Sequence, residues 1–244
     1  MRDFAWRVGA SAAVLLVAAA ACAEPAWARA ADAVTCPVIT GGVATPAPVN
    51  GVDWAGCDLS GIDLNYAELS GVTFTGANLT GAQLGHAAIA NSDLSDANLT
   101  GVSPNAASIT NSDLSGADLA NLGFNQVNLT GDNLTGATLT NADFSYTTLT
   151  RTNLTGVDLS TALLAAVSSG GVTGQVKLPA GWELVNGWLL GTNADLTGAV
   201  LTKANLSGLD LTFATLVNAN LSGANIAGTQ LGRANISGVN GFWR

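Results

Sequence analysis

Residues 57–101 read CDLSG-IDLNY-AELSG-VTFTG-ANLTG-AQLGH-AAIAN-SDLSD-ANLTG, an unbroken run of five-residue phrases. A large apolar residue stands third in each: Leu59, Leu64, Leu69, Phe74, Leu79, Leu84, Ile89, Leu94 and Leu99. Two places earlier the residue is small or apolar, as at Ala67, Val72, Ala77 and Ala82. The place between is mostly Asp, Asn or Thr, and Ser or Thr often follows the centre. A helix needs apolar spacing near 3.6 and a half-buried strand needs about 2, so this period fits neither. A fixed internal period marks stacked units that bury a core only against their neighbours.

The phrase of small residue, Asp or Asn, Leu and two variable places resembles the pentapeptide-repeat family, from Trp54 to Ile236. The resemblance implies an all-β fold, a right-handed quadrilateral β-helix with four pentads per coil. It also implies that the centre and the small residue point inward. Residues twenty apart should then lie above one another. Trp54 with Phe74, and Phe124 with Phe144, are such pairs, so their rings should fill one side of a narrow core. Pro104 is a proline at a centre and, lacking an N–H, should leave a ladder defect. Asp132 stands where a small inward residue belongs, and the expectation is that the chain bends outward there.

The N-terminus carries Arg2 and Arg7, then an apolar run from Val8 to Ala21 that is short for a membrane span. This is the pattern of a secretory signal peptide, residues 1–28, cut after Ala28 or alternatively after Ala23. A buried N-terminal helix is the competing reading. Ala19-Ala20-Ala21-Cys22 also resembles a lipoprotein cut site with an acylated Cys22, which would anchor the chain. After either signal cut two cysteines remain, Cys36 and Cys57. In an oxidising compartment they would form a disulfide pinning the lead over the first coil; two unpaired thiols are the alternative.

Residues 29–51 read as an extended lead and cap, 52–166 as a first repeat block and 193–238 as a second. Between them, residues 167–192 break the phrase. Asn186-Gly187 between apolar residues there signals a hairpin turn. This insertion resembles that of secreted members of the family. Trp182 and Trp188 are expected to pack on the side of the rod or, alternatively, to form an aromatic binding platform. Residues 239–244 form a tail in which Phe242 and Trp243 would cap the last coil or support an end-to-end homodimer.

Chemistry is sparse. The chain is 48% hydrophobic and 10% charged, with one histidine, His86, at an outward phrase end. No phosphate loop, dinucleotide fingerprint or metal-spaced His/Cys cluster is present. These features argue against an enzyme and call for no cofactor. The net charge is −9; removing residues 1–28 takes away Arg2, Arg7, Asp3 and Glu24 together and leaves it unchanged. Asp93 and Asp113 share a predicted column and are weak candidates for Ca²⁺.

The preferred reading is an exported structural or protein-interaction rod, partnered by a protein or a surface polymer. Nucleic acid is not expected, and neither is a stable membrane span in the mature chain. The resemblance offers a rival, since some acidic family members mimic DNA and shield DNA gyrase; that role requires a cytoplasmic chain. A Ca²⁺- or carbohydrate-binding rod is the third reading.

Overall fold

The structure, a computed structural model, describes residues 34–241. The expected signal peptide with Cys22, and Phe242 and Trp243 of the expected cap, lie outside the described residues.

The repeat stacks with a period of twenty residues. Parallel pairs join Asp53 to Thr73, Thr73 to Asp93, Asp93 to Asp113 and Asp113 to Asn133 along one side. Asp58, Asn78, Asn98, Asp118 and Thr138 follow one another on the next side. Each coil therefore holds four phrases. Hydrogen bonds run from each centre N–H to the carbonyl before the centre above, as in Trp54 to Thr73 (2.8 Å) and Leu59 to Asn78 (2.8 Å). The core is a column of centres and small residues: Leu59, Leu64, Phe74 and Ala77 are all essentially inaccessible. Trp54 stacks on Phe74 with centroids 6.0 Å apart, and Phe124 on Phe144 at 4.8 Å.

The lead is a hairpin rather than a simple extended segment. Strand β1 (Val38–Thr40) pairs antiparallel with β2 (Val43–Thr45) across Gly41-Gly42, both at positive φ. Gly42 C=O accepts a 2.7 Å bond from Asp63 N–H, and Ala44 is buried in the core cluster. The hairpin thus covers part of the ladder edge that the first coil would expose. Cys36, exposed, is joined by a disulfide to buried Cys57, with Cα atoms 5.4 Å apart.

Most corners are tight turns closed by a bond from the inward N–H to the preceding centre, as in Cys57 to Trp54 (3.1 Å). One corner of the early coils differs. There β3 (Glu68–Ser70), β4 (Ala88–Ala90) and β5 (Ser108–Thr110) form a parallel sheet. The inward N–H of each following turn bonds a side chain one coil ahead: Val72 to Ser92 Oγ (3.2 Å), Ser92 to Ser112 Oγ (3.1 Å) and Ser112 to Asp132 Oδ1 (2.8 Å). Asp132 N–H itself reverts to a carbonyl, that of Leu129, at 3.4 Å.

Asp132 therefore does not bend outward as the sequence suggested. It is 1% exposed and ends a buried hydrogen-bond ladder. Its Oδ2 has no partner, and burial, set against the bond from Ser112, pushes its carboxyl up to about 8. At Pro104 the expected defect is present: among the described residues the ladder has no pair between Ser103 and Gly123.

Past Ser168 the register changes. Ser168 pairs with Asp195 rather than with residue 188, so seven extra residues enter this coil. They are accommodated by the antiparallel hairpin of β6 (Glu183–Val185) and β7 (Trp188–Leu190), turned at Asn186-Gly187. The twenty-residue step then resumes from Asp195 to Thr215 and from Val200 to Asn220. Among the described residues no helix is long and apolar enough to cross a membrane.

Candidate functional site

The outward carboxylates sit where the repeat puts them, and their first task is local. The Oδ1 of Asp53, Asp58 and Asp63 each accepts the backbone N–H two residues on, at 3.0–3.1 Å. Asp and Asn favour such turns because the side chain imitates a backbone acceptor. Asp93 and Asp113 are indeed stacked one coil apart. Asp93 Oδ1 accepts from Ser95 N–H (2.9 Å) and Ser95 Oγ–H (2.6 Å). Asp113 Oδ1 accepts from Ser115 N–H (2.9 Å) and Asn133 Nδ2–H (3.0 Å). Partial burial alone would raise the Asp93 carboxyl; hydrogen bonds from Ser95 and Thr75 outweigh it and hold the group below the usual carboxylate range. Ca²⁺ takes six to eight oxygen ligands. Among the described residues no cluster of three or more His, Cys, Asp or Glu could hold a metal ion.

The remaining outward polar groups form ladders along the axis. Asn78 Nδ2–H donates to Asp58 (2.9 Å), and Asn153 Nδ2–H to Asn133 (3.1 Å). One exposed ion pair joins Lys177 to Asp158 at 2.8 Å, with the Lys177 hydrogen bond foremost in holding the Asp158 carboxyl well below its ordinary value.

Trp182 and Trp188 are half-buried. Trp182 packs against both hydrophobic clusters, before and after the insertion. A Cβ on Gly191 would collide with its indole, so the glycine makes room for the ring. Trp188 lies over Gly170, where an added Cβ would come within 3.0 Å of the indole. Trp182 thus touches both clusters across the register change, while Trp188 packs on the later cluster and over Gly170.

His86 is exposed, as expected, but it is not isolated. Its ring stacks on that of Tyr66, centroids 5.0 Å apart and planes 9° from parallel. The twenty-residue argument applied to the core rings also applies to this surface pair, and sequence reasoning passed over it.

A family model described as pentapeptide repeats matches in eight copies, over residues 50–81, 82–121, 123–160, 192–213 and 204–240. No curated protein matches the chain. Among solved structures the chain is similar to HetL, a pentapeptide repeat protein involved in heterocyst differentiation regulation from the cyanobacterium Nostoc sp. strain PCC 7120. The identity is 30%, with 78% of this chain and 87% of that chain covered and a TM-score of 0.28. It is also similar to QnrB1, a plasmid-mediated fluoroquinolone resistance protein, at 17% identity, 77% and 90% coverage and a TM-score of 0.34. A pentapeptide repeat protein from the Arabidopsis thaliana thylakoid lumen matches at 22% identity, with 62% and 66% covered and a TM-score of 0.17.

Proposed function

Since this chain belongs to the pentapeptide-repeat family, we propose that it is an exported, non-catalytic rod, a right-handed four-sided β-helix whose sides serve as structural or protein-interaction surfaces. The observation that carries the reading is the Cys36–Cys57 disulfide. Such a bond persists in an oxidising compartment, and the basic, then apolar, start of the chain is what delivery there requires. In this reading residues 1–28 are removed and 29–51 close one end. Blocks 52–166 and 193–238 form the walls, 167–192 splices them and 239–244 finish the other end.

The surface supports interaction over catalysis. Most of its aspartates are engaged in turn hydrogen bonds, and the single histidine stacks on a tyrosine. A DNA mimic needs a continuous acidic track. Here the column from Asp58 passes through Asn78 and Asn98 before reaching Asp118, which favours a mixed polar surface instead.

Cell fractionation with intact-mass measurement tests the proposal. A soluble exported chain starting at Arg29, lighter by the hydrogens of one disulfide, is the expected result. An acylated Cys22 in the membrane fraction would replace the free rod by an anchored one. An uncut, reduced chain in the cytoplasm would overturn the reading and favour the gyrase-shielding rival.

A further inference from the structure

A second corner of the stack, the one at Tyr66 and His86, also departs from the others. The residue after a corner turn takes positive φ at every such place in the coils but Thr161, and this is the left-handed region that side chains disfavour. Elsewhere in the coils this place is Gly, Asn or Asp except at Arg151, Thr161 and Lys203. In the column that begins at Tyr66 and continues through His86 there is no glycine at all. Tyr66 (φ 59°), His86 (φ 58°), Tyr146 (φ 61°) and Phe213 (φ 64°) all occupy it, and Arg233 (φ 58°) closes it. The column crosses the inserted hairpin unbroken, through bonds from Ala166 to Asn193 (2.8 Å) and from Asn193 to Thr212 (2.9 Å).

These rings face solvent. Tyr66 is 73%, Tyr146 62% and Phe213 49% exposed. They sit at three stations along one line: the Tyr66–His86 stack, then Tyr146, then Phe213 with Arg233 over its ring at 5.6 Å. Coils are about 4.8 Å apart, so three coils, about 14 Å, separate each station from the next. The next residue in the column after His86 is Ala106, and after Tyr146 it is Ala166. One face of His86 and one face of Tyr146 therefore have no large neighbour in their own column, whereas Gln126 precedes Tyr146 and Asn193 and Arg233 flank Phe213. Strained backbone that carries exposed aromatic rings, where glycine would be easier, points to a use for the rings.

We propose that this corner is a docking ridge for an extended, uncharged polysaccharide, whose sugar rings stack on Tyr66, His86, Tyr146 and Phe213. The inference rests on the exported rod and deepens it by naming the polymer class. Spacing and charge select this occupant. Separate stations suit one long chain touching at intervals, whereas a protein or lipid partner needs a contiguous apolar patch. A net charge of −9 disfavours nucleic acid, anionic lipid and acidic glycans. Beside the corner lie the Asn125 amide and the Nδ2 of Asn65, whose Oδ1 already accepts from Gly85 N–H (2.8 Å), as donors to sugar hydroxyls.

The test is titration of the purified, disulfide-bonded protein with cellohexaose, chitohexaose, mannohexaose and maltohexaose, with polygalacturonate as the anionic control. Saturable binding of at least one neutral hexaose, and none of polygalacturonate, is expected. Tyr146→Gly and His86→Gly should each weaken that binding at least tenfold while the thermal midpoint stays level or rises, because glycine relieves the positive φ. A merely structural aromatic would instead lower the midpoint when removed. Absence of binding by all four hexaoses at millimolar concentration, or preference for polygalacturonate, overturns the ridge. Because the binding is measured on purified protein and export by mass in cell fractions, the two proposals fail independently.

Discussion

Asp132 offers the sharpest test of how the rod is held together. Its carboxyl is 1% exposed, accepts one bond from Ser112 N–H and leaves Oδ2 without a partner. Burial raises it from 3.8 to about 8. Between those values the folded chain keeps a proton that the unfolded chain has released. Stability is then complete below the unfolded value and falls as pH rises toward the folded one. The slope is about 1.4 kcal/mol per pH unit, so raising the pH from 4.5 to 7.5 removes on the order of 4 kcal/mol. Asp132→Asn keeps the acceptor for Ser112 and removes the titration, so its midpoint should be level across that window. Its N–H₂ stands where the parent's protonated Oδ2 also lacks a partner, so the two proteins should be of similar stability at pH 4.5 and the parent the less stable at pH 7.5. Asp58, Asp93, Asp158 and Asp210 are lowered instead. Their stabilisation is present above 3.8 and lost only as pH falls below it, outside the window. The assay is thermal and urea unfolding from pH 4.5 to 8.5 for both proteins. Equal slopes in the two, or a level profile in the parent, would refute a buried protonated carboxyl at this corner.

Three further outcomes follow from the packing. Replacing Cys36 and Cys57 by Ser should cost about 3 kcal/mol by the loop-entropy argument, with hydrogen exchange rising over residues 36–66 first; unchanged exchange there would mean the lead holds without the bond. Phe144→Ala empties a fully buried site stacked on Phe124 and should cost about 3–5 kcal/mol, read as a lowered urea midpoint. Gly191→Ala forces Trp182 from its place between the two core clusters, at a cost of about 1–3 kcal/mol. Calorimetry should then resolve separate transitions for the blocks on either side of the insertion, and a single unsplit transition would show that Trp182 does not couple them.

The five-residue unit was legible because every phrase repeats one demand, an apolar centre, a small neighbour and a polar residue between them, and the family resemblance supplied four units to a coil. Pairs such as Trp54 with Phe74 followed by counting, and so did the defect at Pro104. The lead hairpin was also written locally, as Val-Ile-Thr-Gly-Gly-Val-Ala-Thr over residues 38–45, though a search for period five looks past it. Asn186-Gly187 was read correctly as a turn because its preference for positive φ is local chemistry.

The sequence by itself determined the five-residue repeat and the place of the insertion, since both are set by spacing along the chain, while four phrases to a coil and the inward pointing of the centres were what the family resemblance implied. Only the tertiary structure decided the rest. Whether Asp132 turns in or out depends on an N–H twenty residues earlier that has no carbonyl partner, and a buried donor must find an acceptor. Whether Trp182 is surface or splice depends on Gly191 leaving room for an indole beside both clusters. That one corner carries every aromatic residue held at positive φ emerges only when the coils are stacked through the seven-residue insertion. Side chains far apart in sequence become neighbours there, and their shared strain belongs to the column rather than to any one phrase.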